Sequence, residues 1–365
     1  MNLPGRIFGM LLLAAVVGSG SEADDGPIVI VIAHRGASGH RPEHTLGAYR
    51  LAIEQGADYI EPDLVATRDG VLVARHENEI SDTTDVADHP EFADRRSTKT
   101  IEGREVTGWF TEDFTLEELK TLRARERLAD LRGTAYDGRF EVPTLQEIID
   151  LLVEVNGDAA RKGRAVGLCP ETKHPSYFAK IGLPLEEPLV EALHRAGWRT
   201  PEDPVLIQSF EVGNLKKLSG MTRLPLGQLV PADGRPPDLA RAGDPRTYAD
   251  LITPEGLAEI ATYAQSVLAH KRLVLPPDTE GGLGSPTALV REAHEAGLLV
   301  HVWTLRAENA FLPPSLGKSR GRAGIGDMAG EVHLFLEAGV DGFFTDHPDI
   351  GVAARDSFVE GSRGR

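Results

Sequence analysis

Two histidines, His34 and His76, two cations, Arg35 and Lys173, and three carboxylates, Glu61, Asp63 and Glu171, stand at the ends of apolar runs in this chain. An imidazole pair can take and give protons, a guanidinium and an ammonium can hold non-bridging phosphate oxygens, and the carboxylate pair Glu61 and Asp63 can bind a divalent cation. Together these are the parts for metal-assisted cleavage of a phosphoester, so the first expectation is chemistry at phosphorus. Glu61 and Asp63 lie two apart in a strand pattern, which points both side chains to one face. Two carboxylates facing one way repel unless a cation or a proton lies between them. The alternative, strand-end carboxylates bonded to loop amides, leaves that repulsion uncompensated. An oxygen-only donor set points to Ca²⁺, with Mg²⁺ as the alternative, rather than Zn²⁺, because no Cys or His cluster at metal spacing accompanies it. Arg35 and Lys173 could instead form ordinary ion pairs with neighbouring carboxylates. The other ten histidines lack such company, and His194, His294 and His333 fall in helical patterns that suit surface or packing positions.

These residues need elements that bring them to one place. Residues 27–33 (PIVIVIA) form a continuous β-branched run, the pattern of a strand buried on both faces of a parallel sheet. A helix is expected over 45–55, with Leu46, Tyr49 and Ile53 on one face, then a second strand over 59–65, a turn at Asp69-Gly70 and a short strand over 71–74. Further apolar runs at 165–168, 205–207, 225–230, 273–275, 298–303 and 340–344 alternate with helical patterns at 145–155, 186–196, 212–218, 254–267, 286–296 and 328–338. Eight strands alternating with helices indicate a (β/α)₈ TIM barrel. An open doubly wound sheet uses the same alphabet and loses on count. The charge-rich interval 77–139 breaks the rhythm and reads as an insertion after the second strand, overhanging the site face. Residues 231–253, rich in Pro and Gly, read as an irregular rim or lid loop.

Composition narrows the partners. A net charge of −17 with no Lys/Arg run argues against nucleic acid and suits a small-molecule substrate. Residues 1–23 resemble an export signal, with Arg6 before an apolar stretch at 7–17 that is too short to span a bilayer, which needs about 20 residues. The expectation is a periplasmic or secreted protein without stable membrane insertion, whose single barrel domain covers 24–365. Cys169 is the lone cysteine, so no intramolecular disulfide can form.

The ordered set His34-Arg35-Gly36, Pro42-Glu43 with Thr45, Gly56-Ala57-Asp58, Glu61-Pro62-Asp63, Thr67-Arg68-Asp69-Gly70, His76, Pro170-Glu171-Thr172-Lys173, Gln208-Ser209-Phe210, Trp303-Thr304 and Thr345-Asp346 resembles the glycerophosphodiester phosphodiesterase family from the first strand to the last. The resemblance implies a TIM-barrel enzyme that hydrolyses glycerophosphodiesters such as glycerophosphocholine to glycerol 3-phosphate and an alcohol. It implies Glu61, Asp63 and Glu171 as metal ligands, His34 and His76 as the acid/base pair, Arg35 and Lys173 as phosphate cations, and Phe210 and Trp303 as walls near the glycerol. It also likens 77–139 to the insertion of the exported, periplasmic type. Glu77 stands where many relatives carry Asp. A phospholipase D-like or lysophospholipase D-like barrel acting on lipid is the alternative. A non-catalytic barrel would be expected to lack one of these histidines or carboxylates, and all are present.

Overall fold

The computed structural model describes residues 29–157, 165–318 and 321–363; the expected export signal at 1–23 lies outside them. The strands in chain order are β1 (Ile30–His34), β2 (Tyr59–Glu61), β3 (Asp63–Ala66), β4 (Leu72–Ala74), β5 (Ser97–Ile101), β6 (Arg104–Gly108), β7 (Gly167–Leu168), β8 (Glu171–Thr172), β9 (Ile207–Ser209), β10 (Leu226–Val230), β11 (Ser266–His270), β12 (Leu299–Leu305) and β13 (Gly342–Thr345). One sheet runs in the order β4-β3-β8-β9-β10-β11-β12-β13-β1-β2-β7, parallel except for β3–β4. β2 and β3 are two halves of one barrel strand, as are β7 and β8, because Pro62 and Pro170 have no N–H for the ladder. Counted that way there are eight barrel strands, and the bridge Leu168↔Val205 completes the ring between β7 and the run into β9.

Ile32, Cys169, Leu206, Leu229, Leu268 and Phe344 fill the barrel, and a larger apolar cluster lies between the strands and the surrounding helices. Two expectations fail in one stretch. The helix that starts after the Thr253 cap stops at Ile260, and the sixth barrel strand is β11, while residues 271–273 form a 3₁₀ turn instead of a strand. Ser, Leu, Ala and His surround a single β-branched Val267 in β11, so its local signal is weak and register between β10 and β12 decides it. Residues 231–253 hold two short helices, Pro237–Ala242 and Tyr248–Leu251. Tyr248 packs edge-on to Phe210 and its hydroxyl donates to the Phe210 carbonyl at 3.2 Å, so this segment backs a cleft wall.

His301 of β12 is fully buried without a hydrogen-bond partner on either ring nitrogen, and burial pushes its pKa down to about 4. The unfolded imidazole takes its proton near 6.5. Stability is therefore intact above that pH, falls as pH drops from 6.5 towards 4, and the loss levels off at up to about 3 kcal/mol. His301→Leu should narrow the gap between urea midpoints measured at about pH 7.5 and about pH 5. An unchanged gap would assign the acid sensitivity to other groups.

Candidate active site

The site forms where the C-terminal ends of the strands meet. His34 is the last residue of β1, Glu61 ends β2, Asp63 opens β3 and Glu171 opens β8. Gly36 is required here. Its φ is +84°, and a Cβ on it would lie 2.7 Å from the Ala48 carbonyl carbon, so the chain turns sharply against the helix Leu46–Glu54. Arg35 takes a left-handed φ of 61°, which aims its backbone N–H at Glu61 Oε2, 2.8 Å away.

A cleft of about 420 Å³ is lined by His34, Arg35, Glu61, Asp63, His76, Glu171, Lys173, Phe210 and Trp303 among others, so all nine expected site residues meet in one cavity. Phe210 and Trp303 pack edge to face, with ring centroids 5.8 Å apart. The lining also includes residues the sequence did not suggest, the apolar Leu275, Leu283, Phe311 and Leu312 interspersed with Lys271, Arg272 and Arg306. Among the described residues, none of 77–139 lines the cleft, so the insertion does not overhang it as expected.

Glu61, Asp63 and Glu171 each bring a carboxylate oxygen within 4.8 Å of the other two, and all three are buried. Burial and Asp63 push the Glu61 carboxyl well up. Burial does the same for Glu171, with Asp63 adding to it and Lys173 opposing. Asp63 goes the other way, held well below the usual range against its burial by Lys173 and by a hydrogen bond from His44. Among the described residues Asp63 Oδ1 has no hydrogen-bond partner, and Lys173 Nζ lies 3.9 Å from it. Three buried carboxylates with a lone oxygen acceptor fit a hard divalent cation, and the cluster could hold one.

Four of the other oxygens are held, Glu61 Oε2 by the Arg35 N–H already described. Gln208 Nε2 donates to Glu61 Oε1 at 3.0 Å, Lys173 Nζ to Glu171 Oε1 at 2.9 Å, and His44 bridges Asp63 Oδ2 at 2.9 Å and the Tyr49 hydroxyl at 2.8 Å. Arg35 pairs with Glu43 at 3.0 Å, and its Nε lies 3.5 Å from Asp63. Arg35 and Lys173 thus line the cleft and are also ion-paired. Arg75, fully buried, donates to the carbonyls of Glu43 and His44 at 3.2 Å and holds that loop.

Each proposed proton-transfer histidine has a carboxylate at Nδ1. His34 Nδ1 is 2.6 Å from Asp346 Oδ1, and His76 Nδ1 is 2.8 Å from Glu77 Oε1. A carboxylate there fixes the tautomer with hydrogen on Nδ1 and leaves Nε2 as the basic nitrogen. Burial, with Arg35, lowers His34 to about 4; burial, with Arg35 and Lys173, lowers His76 to about 3. Glu77 is shared with His174, whose rings of partners, Glu102 at 2.6 Å and Glu77 at 3.0 Å, outweigh burial and raise it to about 9. His44 and His174 therefore do have the acidic company that the sequence suggested only for His34 and His76. Their partners lie 19 and 97 residues away in the chain, beyond any local signal.

Residues 34–350 match the model of the glycerophosphoryl diester phosphodiesterase family. Over 328 residues the chain is 37% identical to the glycerophosphodiester phosphodiesterase GDPD6 of Arabidopsis thaliana, covering 86% of this chain and 82% of that one. It is 30% identical to a glycerophosphodiester phosphodiesterase of Haemophilus influenzae, covering 88% of each. In fold it is similar to an Oleispira antarctica phosphodiesterase solved with the product sn-glycerol-3-phosphate, at TM-score 0.56 and 21% identity over 90% of this chain and 97% of that one.

Proposed function

The chain belongs to the glycerophosphoryl diester phosphodiesterase family and hydrolyses glycerophosphodiesters, and on that premise we propose that His34 and His76 move the protons of the reaction while Arg35 and Lys173 hold the phosphate. The observation that carries this reading is the pair of carboxylate-bound imidazoles in one cleft with the three-carboxylate cluster. One imidazole takes the proton of the attacking hydroxyl at its free Nε2; the other, which takes up a solvent proton at Nε2 when the anionic phosphodiester binds, gives that proton to the leaving alcohol. Arg35 and Lys173 spread the charge that grows on the non-bridging oxygens. Phe210 and Trp303 exclude water and press on the carbon face of glycerol. Glu61, Asp63 and Glu171 would hold a divalent cation, Ca²⁺ by their all-oxygen chemistry, which when bound supplies Lewis-acid stabilisation of phosphate charge. The apolar run at 7–17 supports export to the periplasm or medium. Among the described residues no helix is long and apolar enough to cross a membrane.

A lysophospholipase D-like activity has one observation in its favour, the apolar lining residues Leu275, Leu283, Phe311 and Leu312. The 420 Å³ cleft is of a size to take a glycerophosphodiester. We expect release of glycerol 3-phosphate from glycerophosphocholine and glycerophosphoethanolamine, lost in EDTA and restored by Ca²⁺, with little turnover of phosphatidylcholine in mixed micelles. A higher kcat/KM on lysophosphatidylcholine than on glycerophosphocholine would move the protein to the lipid reading.

A further inference from the structure

We propose that Arg132, carried by the insertion at 77–139, is a positioning residue for the His34 step and acts through Asp346. The inference rests on the reading of His34 as a proton-transfer group. Arg132 is the last residue of the short helix Ala129–Arg132, and its side chain is only 6% exposed. It makes three contacts with distant parts of the barrel. Nη2 donates to Asp346 Oδ2 at 2.6 Å, Nε to Glu308 Oε1 at 2.6 Å, and Nη1 to the Ser38 carbonyl at 2.8 Å.

Those contacts converge on His34 from two sides. Asp346 has two oxygens, one on His34 Nδ1 and the other on Arg132. A carboxylate gripped at Oδ2 cannot rotate about its Cβ–Cγ bond without breaking that grip, so Oδ1 stays in the imidazole plane. Ser38, whose carbonyl Arg132 holds, donates its own hydroxyl to the His34 carbonyl at 2.8 Å. Ring and backbone of His34 are therefore tied to one guanidinium.

Arg306 also reaches Asp346 Oδ2, at 2.6 Å, but its side chain is 20% exposed at the cleft rim and lies over the Phe311 ring. Arg132 is better anchored, because Glu308 on its far side is 2% exposed and bound to it. The geometry also explains why a segment that contributes nothing to the cleft wall packs against the site face. It reaches the chemistry from behind, through a charged side chain.

The test compares Arg132→Met and Arg132→Lys in the wild-type and His34→Ala backgrounds, with glycerol 3-phosphate release from glycerophosphocholine as the readout. Loss of an outer partner of a working imidazole is expected to lower kcat about 10–100-fold with KM changed by less than about threefold. Lysine, which cannot make three directed contacts, should recover part of that loss. In the His34→Ala background either substitution should cost less than about twofold, because the group it positions is gone. An equal fold-loss in both backgrounds, or a fall in KM terms alone, would make Arg132 a structural residue and overturn the proposal, as would wild-type kcat in Arg132→Met. If Arg132→Met fails to fold, Arg132→Lys carries the same comparison. Wild-type turnover of His34→Ala itself would instead overturn the assignment of His34, so the two failures are distinct.

Discussion

Alanine at His34 or at His76 is expected to lower kcat on a glycerophosphodiester by about 10²–10⁴-fold while KM changes far less. Each imidazole is held at Nδ1 by a carboxylate, and burial lowers His34 to about 4 and His76 to about 3, so both are neutral at pH 7 until an anionic phosphodiester binds and one takes up a proton at Nε2. Truncation removes a positioned proton acceptor or donor and leaves Arg35 and Lys173 in the cleft, so the loss falls on turnover. The two carboxylates differ in setting. Asp346 is buried and held by Arg132 and Arg306, whereas Glu77 is half exposed and shares its second oxygen with His174. The histidines are therefore not interchangeable, and a substrate with an activated leaving group separates them. A p-nitrophenyl diester needs little protonation of its leaving oxygen. It should restore much of the rate to the variant that lacks the acid and none to the variant that lacks the base. Equal losses on both substrates for both variants would sink the division of labour.

The residues that line the cleft were legible because each stands beside a strand end, and the alternation of strands and helices sends strand ends to one face. The residues that hold them were not. His34 meets Asp346 across 312 positions because β1 pairs with β13, a contact that exists only once the barrel closes. Thr345-Asp346 and Pro42-Glu43 stood in the sequence as matched motifs without a role. Only the geometry makes one the support of His34 and the other the partner of Arg35. The insertion was misread for a related reason. Its place after the second strand suggested a cover over the cleft, but Arg127 and Arg132 instead turn inward to Glu43, Asp346 and Glu308. The sixth strand was displaced because β11 carries little β-branched character, so tertiary register overrode local preference.

Removing one carboxylate from the Glu61, Asp63 and Glu171 cluster should have different effects on the protein with and without divalent cation. Without the cation, three buried carboxylates crowd within 4.8 Å, and burial and mutual repulsion already push Glu61 and Glu171 up. Glu61→Gln keeps the shape and removes one of the interacting charges, while its amide nitrogen forfeits one of the hydrogen bonds now accepted from the Arg35 N–H and Gln208, so the two effects offset and the thermal midpoint in EDTA should change little. Wild-type protein should gain stability with Ca²⁺, by about 2.7 kcal/mol at a hundredfold excess over Kd, and the variant should lose most of that gain. Turnover should fall about 10²–10³-fold at limiting Ca²⁺, the size expected when several kcal/mol of charge stabilisation is lost. Asp63→Asn should behave alike in activity, but it also weakens the charge-dependent contacts from His44 and Arg35, so its midpoint in EDTA should drop further than that of Glu61→Gln. A scan of midpoint against Ca²⁺ for wild type and both variants checks this directly. If Glu61→Gln shows the wild-type Ca²⁺ shift and the wild-type rate, the cation is held elsewhere and the three-carboxylate assignment is wrong.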